Sequence, residues 1–447
     1  MYLAYLALGL LLLVGGAELL VRGASRLAAM ARISPLIIGL TIVAYGTSAP
    51  ELAVSARASL SGDVGLAVGN VVGSNIFNVL VILGIAALIS PLGVSTQLVR
   101  LDVPVMIGTS LVIWGLSANG TIGRMEGGGL VLCLLTYTVL LGLISRHRAK
   151  QPNGESNDPP VKHPLNLKSV LANTAFVFIG LAGLAFGAQW FVKGAVTIAE
   201  MLGITQLIIG LTIVAVGTSL PELATSVWAG IRGERDIAVG NVIGSNIFNL
   251  LGVLGVSALL GQDGIEVSQN AFRYDMLVMV AVALACLPVF ITGATVSRLE
   301  GLFFVFYYGL YLSVLVLDAI NSPLERPVSQ AVAFLFIPMT MFILVMSVFI
   351  SEKHLERMLG PLATDVEITA RRTLRQLKRM LVLVIGGTLI IVGLAMIFLP
   401  GPATVVIPLG LGILATEFIW AKRLLVSTME RARDLVSGPQ KDDTHNS

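Results

Sequence analysis

Residues 36–84 read LIIGLTIVAYGTSAPELAVSARASLSGDVGLAVGNVVGSNIFNVLVILG, and residues 207–255 read LIIGLTIVAVGTSLPELATSVWAGIRGERDIAVGNVIGSNIFNLLGVLG. The two stretches align without a gap at an offset of 171 residues and are identical at about two-thirds of their positions. The similarity continues outside them, because Arg124-Met125-Glu126-Gly127 corresponds to Arg298-Leu299-Glu300-Gly301. The chain therefore contains an internal duplication.

The composition is that of a membrane protein. Of the 447 residues, 55% are hydrophobic and 12% are charged, against roughly 25% charged in an average soluble domain. The mean hydropathy of +0.89 means that much of the apolar surface must face lipid, so the lipid bilayer is the expected partner. A net charge of only +3, without basic stretches interleaved with aromatic residues, excludes a nucleic-acid partner. No protein partner can be inferred from the sequence.

Ten apolar stretches approach the ~20 residues that a spanning helix needs. They lie at about 3–21, 33–60, 66–90, 102–118, 127–145, 170–192, 204–231, 237–260, 275–292 and 299–318. A polar, basic and proline-containing stretch separates five spans from five and is typical of a flexible linker. The predicted organisation is a first repeat (1–145), a cytoplasmic basic linker (146–168), a second repeat (169–320) and a C-terminal membrane extension (321–447).

An odd number of spans per copy means that the two copies cross the membrane in opposite orientations, so we expect an all-α polytopic protein with an inverted 5+5 repeat. The distribution of Lys and Arg indicates that the N-terminus lies outside and the C-terminus in the cytoplasm. The predicted cytoplasmic loops hold Arg22, Arg26, Arg32, Arg100, the basic linker, Arg232, Arg235 and Arg298, and the opposite side holds Arg57, Arg124, Lys193, Arg273 and Arg326.

The second span of each copy carries an acid beside a proline, in Gly46-Thr47-Ser48-Ala49-Pro50-Glu51 and in Gly217-Thr218-Ser219-Leu220-Pro221-Glu222. A charge at membrane depth costs at least ~2.5–3.5 kcal/mol, so such a group is normally paired, hydrated or bound to an ion. Proline removes an amide donor and leaves carbonyl oxygens available for ions. The backbone carbonyl oxygens that are candidates for ion ligands are those of Ala44, Thr47, Ala215 and Thr218.

The third span of each copy carries a neutral polar motif, Gly73-Ser74-Asn75-Ile76-Phe77-Asn78 in the first and Gly244-Ser245-Asn246-Ile247-Phe248-Asn249 in the second. Residues four apart share a helix face, so Ser74 with Asn78, and Ser245 with Asn249, can offer oxygens to one cavity. Any one of these side chains could instead serve only to form hydrogen bonds between membrane helices. Oxygen ligands without sulfur or imidazole favour hard cations such as Ca²⁺ and Na⁺ over Zn²⁺ or Cu²⁺.

Other acids in the spans are expected to have local roles. Glu18 corresponds to Gln189 in the second copy, so this acid is not repeated. We interpret it as a residue that packs between helices or lies at the mouth of the ion pathway. Four more acids lie beside arginines at segment ends and are expected to form interfacial pairs there; they are Asp102, Glu126, Asp275 and Glu300.

These motifs resemble those of the cation/Ca²⁺ exchanger superfamily, specifically the bacterial and archaeal sodium/calcium exchangers, whose two repeats carry GTS-x-PE and GS-N-x-x-N. The resemblance covers about residues 1–320 and implies mid-membrane ion binding between the repeats. It implies that the first and sixth helices slide across the bundle to alternate access. The implied Ca²⁺ and Na⁺ ligands are Glu51, Glu222, Thr47, Ser48, Ser74, Asn78, Thr218, Ser219, Ser245 and Asn249, with the backbone oxygens of Ala44 and Ala215.

The C-terminal extension resembles small membrane proteins named for a PGPGW motif, through Leu399-Pro400-Gly401-Pro402. It departs from that motif at Ala403-Thr404. Apolar runs at about 328–350, 380–399 and 403–420 predict about three additional spans, the last two forming a hairpin. That family implies no activity for the extension.

The function implied by the resemblance is a secondary-active antiporter of a bacterial inner membrane that exports Ca²⁺ against Na⁺ entry and uses no cofactor. Asn249 stands where potassium-dependent relatives place Asp, which argues against K⁺ co-transport. A Ca²⁺/H⁺ antiporter that uses the same acids is the alternative. We do not expect an enzyme, because His147, His163, His354 and His445 all lie in loops or tails and no nucleophile or metal motif accompanies them.

Overall fold

The computed structural model describes residues 2–31, 33–150, 167–291 and 294–320, together with 322–324, 328, 330, 332, 411, 412, 414, 415 and 422. The chain divides into two compact units, Met1–Glu352 and Lys353–Ser447. Most of the predicted linker and the three predicted C-terminal spans lie outside the described residues. The described part of the first unit is almost entirely helical.

The first half consists of eight α-helices, three π-helical stretches and two short strands. The α-helices are Tyr2–Ala31 (α1), Pro35–Ile38 (α2), Ala44–Thr47 (α3), Ala49–Ser61 (α4), Val64–Phe77 (α5), Gly84–Ile89 (α6), Val103–Leu116 (α7) and Arg124–Lys150 (α8). The π-helical stretches are Gly39–Val43, Asn78–Leu83 and Leu98–Asp102, Ser117–Asn119 is a 3₁₀ turn, and the strands are Leu92–Gly93 (β1) and Thr121–Ile122 (β2).

The second half repeats this order. Its α-helices are Leu167–Met201 (α9), Gln206–Ile209 (α10), Ala215–Gly217 (α11), Leu220–Arg232 (α12), Arg235–Phe248 (α13), Leu254–Leu260 (α14), Met276–Ile291 (α15) and Arg298–Ala319 (α16). The π-helical stretches are Gly210–Val214, Asn249–Val253 and Ala271–Asp275, and the strands are Ile265–Glu266 (β3) and Thr295–Val296 (β4). The three π-helical stretches therefore recur at equivalent positions in both copies.

Eight helices among the described residues are long and apolar enough to cross a membrane, or nine if the bent pair Pro35–Thr47 and Ala49–Ser61 forms one span. The equivalent bent segment of the second half, residues 206–232, occupies the position of the tenth predicted span. Helical segments thus lie at all ten positions that the sequence predicts. Gly65–Ile89 and Arg235–Leu260 are the most enclosed spans, with 78% and 89% of an apolar 18-residue stretch buried, so they form the core of the bundle.

The helices α1 and α9 are longer than the apolar runs predict, with 30 and 35 residues. At 1.5 Å per residue they extend about 45 and 52 Å, beyond the ~30 Å hydrocarbon core of a bilayer. Helices of such length fit a membrane when they tilt. The predicted apolar run of α1 ends at residue 21, before Arg22, but the helix continues to Ala31.

Two strand pairs show that the halves are inverted. β1 pairs antiparallel with β4, so Leu92 lies opposite Val296, and β2 pairs with β3, so Ile122 lies opposite Ile265. In each pair, a loop from the third connection of one copy meets a loop from the fourth connection of the other. Consecutive connections lie on opposite sides of a spanning bundle, so equivalent loops of the two copies lie on opposite faces. We name the face with β1 and β4 the first face and the face with β2 and β3 the second face.

α1 and α9 lie antiparallel with their backbones in close contact. Glycine recurs every seven residues along the contact, at Gly9, Gly16 and Gly23 of α1 and at Gly180, Gly187 and Gly194 of α9. A Cβ atom at Gly16 would lie 2.8 Å from the Gly180 carbonyl oxygen, and one at Gly180 would lie 2.7 Å from the Gly16 carbonyl oxygen. Close backbone approach through small residues is the usual way in which membrane helices associate, because lipid provides no hydrophobic driving force.

Gly16→Ala is expected to lower the apparent unfolding temperature of the detergent-purified protein, because overpacking of this kind costs about 1–3 kcal/mol. The matched control is Gly15→Ala on the same helix, where a Cβ would meet no described atom within 4 Å. That control should be neutral or stabilising, since alanine favours a helix by ~1 kcal/mol over glycine. Equal unfolding temperatures for the two variants would contradict the proposed role of the glycine contact.

Candidate functional site

Each acid motif lies immediately after a break in a membrane helix. Ser48 separates α3 from α4, and the two parts of this first bent segment meet at 45°. Thr218 and Ser219 separate α11 from α12 in the second bent segment. Pro50 and Pro221 occupy the first turn of the following helix, where a missing amide donor is tolerated. The break thus places Glu51 and Glu222 in the first turn of α4 and α12, near the positive end of each helix dipole.

Glu51 and Glu222 are both fully buried, and each carboxylate is held by the other half of the molecule. Ser48 Oγ donates to Glu222 Oε1 at 2.7 Å, and Ser219 Oγ donates to Glu51 Oε1 at 3.0 Å. The serine that precedes one acid by three residues therefore binds the acid of the opposite copy. This exchange brings the two acid motifs together at the centre of the bundle.

The threonines of the two acid motifs also contact the opposite half, through asparagines of the two enclosed helices α5 and α13, which we name the inner helices. Thr47 Oγ1 donates to Asn241 Oδ1 at 3.1 Å, and Thr218 Oγ1 approaches Asn70 Oδ1 at 3.4 Å. Each asparagine amide in turn donates to a serine of its own half. Asn241 Nδ2 lies 2.9 Å from Ser226 Oγ, and Asn70 Nδ2 lies 2.9 Å from Ser55 Oγ.

The third-span motifs line the same region. Asn78 Nδ2 donates to Asn246 Oδ1 at 3.0 Å, so the two inner helices also contact each other across the repeats. Ser245 Oγ reaches the Ala44 carbonyl oxygen at 3.5 Å. Ser74, Asn78, Ser245 and Asn249 are all buried, with 3% exposure or less. The structure therefore places these four side chains in the interior beside the acid motifs.

The two predicted alanine carbonyls differ. Ala44 is fully buried, and its carbonyl oxygen accepts from the Ser48 amide at 3.0 Å and from Thr47 Oγ1 at 3.3 Å. In the second half the Ser219 amide donates to Val216 instead, at 3.1 Å, and Ala215 is exposed. The equivalent breaks therefore have different backbone hydrogen bonds.

Several buried polar atoms of the site have no hydrogen-bond partner among the described residues. They are Glu51 Oε2, Glu222 Oε2, Ser74 Oγ, Asn75 Oδ1, Asn78 Oδ1, and both Oδ1 and Nδ2 of Asn249. A buried polar group without a partner costs about 1–3 kcal/mol, more when it is charged. Oxygens of carboxylates, amides and hydroxyls are the donors that Ca²⁺ uses, so this set fits a hard cation held between the two halves.

On the first face the bent segment is closed against the inner helix α13. A Cβ at Gly240 would lie 2.9 Å from the Leu36 carbonyl oxygen, and one at Gly244 would lie 2.5 Å from that of Leu40. Gly39 makes the reciprocal contact, where a Cβ would lie 3.0 Å from the Ile237 carbonyl oxygen. We name this contact, defined by Gly39, Gly240 and Gly244, the first seam.

On the second face the equivalent surfaces are apart. Gly210, Gly69 and Gly73 correspond to the three glycines of the first seam, and a Cβ at any of them would meet no described atom within 4 Å. Both walls are exposed, since Val214 is 49% and Leu66 is 51% exposed, whereas the equivalent Val43 and Ile237 are fully buried. We name Gly69, Gly73 and Gly210 the second seam. The bent segment is therefore packed against α13 at the first seam, whereas an open cleft separates the walls of the second seam.

Glu18 connects α1 to the second bent segment. It accepts a hydrogen bond from Trp228 Nε1 at 2.7 Å and pairs with Arg232 at 2.5 Å and with Arg22 at 3.5 Å. About two turns further along α1, Ser25 Oγ donates to Glu234 Oε1 at 2.6 Å. These contacts agree with the interpretation of Glu18 as a packing residue and place it outside the pair of buried carboxylates.

The acids at segment ends have partners that the sequence did not predict. Asp102 is fully buried and accepts hydrogen bonds from Tyr137 at 2.9 Å and from Gln97 at 3.2 Å, and the equivalent Asp275 accepts from Tyr311 at 2.9 Å. Glu126 accepts from the Gly123 amide, and Glu300 forms a capping box with Ser297. For Asp102 the structure shows a buried carboxylate that accepts a hydrogen bond from a tyrosine of the next span, a partner that the expected interfacial pairing did not include.

Asn70 and Asn241 belong to the site although the sequence did not single them out as ligands. Both precede the serine motif by four residues, so they lie on the same helix face as Ser74 and Ser245. The recurrence of Gly-Asn at this point in both copies was the available signal. The helix period alone could not show that their amides contact the opposite acid motif.

The chain matches the family model described as sodium/calcium exchanger protein over residues 1–143 and 172–317. Residues 379–431 match a family of transmembrane proteins named PGPGW, in agreement with the resemblance of the C-terminal extension. The first match covers more than half of the chain and follows the two predicted repeats.

Individual relatives agree with the family match. The sodium/calcium exchanger MaX1 of Methanosarcina acetivorans is 34% identical over 342 residues, covering 69% of this chain and 97% of that protein. The inner membrane protein YrbG of Escherichia coli is 40% identical over 289 residues, covering 64% and 87%. A solved structure of the sodium-calcium exchanger NCX_Mj superposes with a TM-score of 0.60 at 32% identity, covering 70% of this chain and 97% of that one.

Asn241→Ala is expected to destabilise the protein more than Asn70→Ala. Asn241 is fully buried, so its loss removes the hydrogen bonds that it makes with Thr47 and Ser226 and costs about 1–3 kcal/mol. Asn70 is partly exposed towards the cleft, where water can replace its amide. Apparent unfolding temperatures measured in chelator-containing buffer check this order, and an equal loss for the two variants would contradict the asymmetry of the site.

Proposed function

The chain belongs to the sodium/calcium exchanger family, and on that premise we propose that it exchanges Ca²⁺ for Na⁺ across the membrane and exports Ca²⁺. The family membership makes it a multi-pass membrane protein and a cation/Ca²⁺ antiporter. The use of Na⁺ and the direction of transport are the proposal. Transport of this kind moves ions without a covalent reaction, so we propose neither an enzymatic activity nor a cofactor.

The observation that carries the proposal is the pair of fully buried carboxylates, each with one unpartnered oxygen, among neutral oxygens from both halves. Two carboxylates balance the charge of one Ca²⁺. Ca²⁺ takes six to eight oxygen ligands at about 2.3–2.6 Å, which carboxylates alone could not supply here. We therefore assign the neutral ligands to Thr47, Ser48, Ser74, Asn78, Thr218, Ser219, Ser245 and Asn249, with the carbonyl oxygens of Ala44 and Ala215.

Na⁺ is a hard cation of the same ligand class, so it can compete for these oxygens. Exchange then requires that the site faces one side of the membrane at a time. The closed first seam and the cleft on the second face support such a cycle, because they give the site one open side. We assign the whole transport unit to residues 1–320, since all assigned ligands precede Asp318.

The second candidate is a Ca²⁺/H⁺ antiporter. Its support is the unpartnered Oε2 of Glu51 and of Glu222, either of which could hold a proton when no cation is bound. We favour Na⁺ because two of the named relatives, MaX1 and NCX_Mj, are sodium/calcium exchangers.

For localisation we propose a bacterial inner membrane, with the N-terminus outside and the C-terminus in the cytoplasm. The Lys and Arg distribution supports this orientation, and YrbG is named an inner membrane protein. In that orientation the first face is cytoplasmic, and the cleft opens to the outside.

Glu51→Gln and Glu222→Gln are each expected to abolish ⁴⁵Ca²⁺ uptake into sealed vesicles while leaving folded protein in the membrane. Removal of one charge leaves the dication half balanced in a buried site, which disfavours its binding. The control is Glu126→Gln, a change of the same kind at a helix start whose carboxylate accepts from the Gly123 amide. Near-normal uptake by either site variant would refute the site, provided that the control transports normally.

An outward-directed Na⁺ gradient is expected to drive ⁴⁵Ca²⁺ uptake without any requirement for K⁺, because Asn78 and Asn249 leave two carboxylates in the site. An imposed H⁺ gradient of equal size, without Na⁺, should drive little uptake. The reverse result would establish the proton-coupled candidate, and a K⁺ requirement would overturn the argument from the asparagines.

A further inference from the structure

The two seams have the same sequence and opposite states. Gly39, Gly240 and Gly244 are in close backbone contact on the first face, whereas the equivalent Gly210, Gly69 and Gly73 meet no described atom within 4 Å. Sequence divergence does not explain the difference, since the aligned stretches share about two-thirds of their residues, including all these glycines. Packing alone distinguishes the two faces.

From this difference we infer that Gly69, Gly73 and Gly210 are gate residues, which close the second seam in a state where the first seam opens. This inference rests on the proposed antiport, because a binding protein with one fixed opening would need no second closed seam. It assigns a positioning role to three residues that make no close contact in the described state and are not ligands.

The contacts of the first seam show how closely the backbones must approach when a seam closes, which only glycine permits at these positions. A Cβ at Gly240 would lie 2.9 Å from the Leu36 carbonyl oxygen, and a Cβ at Gly244 would lie 2.5 Å from the Leu40 carbonyl oxygen. Backbone oxygens cannot move aside as a flexible side chain can. In the inverted repeat, Gly69 and Gly73 would meet the backbone of residues 207 and 211 in the same way when the second seam closes.

The exposure of the walls supports a seam that closes rather than a surface that faces lipid. Leu66, Gly69 and Gly73 share one face of α5, at spacings of three and seven residues, and all three are at least partly exposed. Their equivalents Ile237, Gly240 and Gly244 are buried against the bent segment. The same helix face is thus covered in one half and uncovered in the other.

The inference predicts opposite effects for the same substitution in the two seams. Gly73→Ala should fold normally, because the described state has room for the added carbon, and should hold the protein with its cleft open to the second face. Gly244→Ala should disfavour the described state and open the first seam. Gly142→Ala is the matched control, since Gly142 is an exposed helix residue outside both seams with no described atom within 4 Å of a Cβ.

The experiment measures labelling by a membrane-impermeant maleimide from each side of sealed vesicles in chelator-containing, Na⁺-free buffer. Reporters are Leu66→Cys and Ile237→Cys, one on each seam, in a background where Cys133→Ser and Cys286→Ala remove the native thiols. Gly73→Ala should slow labelling of Ile237→Cys by at least about tenfold and leave Leu66→Cys fully reactive, because the state that exposes Ile237 is no longer accessible. Gly244→Ala should accelerate labelling of Ile237→Cys.

Transport of ⁴⁵Ca²⁺ by Gly73→Ala should fall by at least about tenfold, whereas Gly142→Ala should match the unsubstituted protein. Unchanged labelling of Ile237→Cys in Gly73→Ala would overturn the gate. Gly210→Ala tests the opposite wall of the same seam with the same expected result, so misfolding of one variant does not end the test. Labelling needs no transported ion, so failure of the Na⁺/Ca²⁺ proposal would appear as absent flux with the labelling pattern intact.

Discussion

Two carboxylates, fully buried at the centre of a membrane-spanning bundle, are the constraint on which this structure depends. Among the residues that the structure describes, neither Glu51 nor Glu222 has an arginine or lysine partner, and each accepts a hydrogen bond from a serine of the opposite repeat. Neither half could therefore satisfy its own acid in this way. The inverted arrangement of the halves, the breaks at Ser48 and Ser219 and the proline in the following turn all serve to bring these groups together.

Much of this architecture could be predicted from the sequence, because hydropathy shows where the spans lie and the duplication shows that they form two copies. The acid motifs are visible in residues 36–84 and 207–255, and the ten helical positions and the inversion follow from the five apolar stretches of each copy. The extra length of α1 could not be predicted, because the apolar run ends at residue 21 whereas the helix continues to Ala31. The partners of Glu18 could not be predicted either, since Trp228 and Arg232 lie more than 200 residues away along the chain. The partner of Asp102 was missed for the same reason, because Tyr137 is on the next span.

The difference between the two faces could not be read from the sequence at all. The repeats give both seams the same glycines, so no pattern distinguishes the closed one from the open one. Only the packing shows it, in the burial of Val43 against the exposure of Val214. A repeated sequence specifies the set of possible contacts, and the folded state satisfies some of them on one side at a time.

The glycine contact of α1 with α9 has the symmetry of a homodimer. Gly16 meets the carbonyl of Gly180, the equivalent of Gly9, while Gly9 meets the carbonyl of Gly187, the equivalent of Gly16. The same reciprocity holds for Gly84 with Gly301 and for Gly127 with Gly255. Such isologous contacts are the kind that two identical chains form about a two-fold axis. A single five-helix protein, inserted into the membrane in both orientations, would already possess the surfaces needed to pair with itself, and gene fusion would need only to supply a linker.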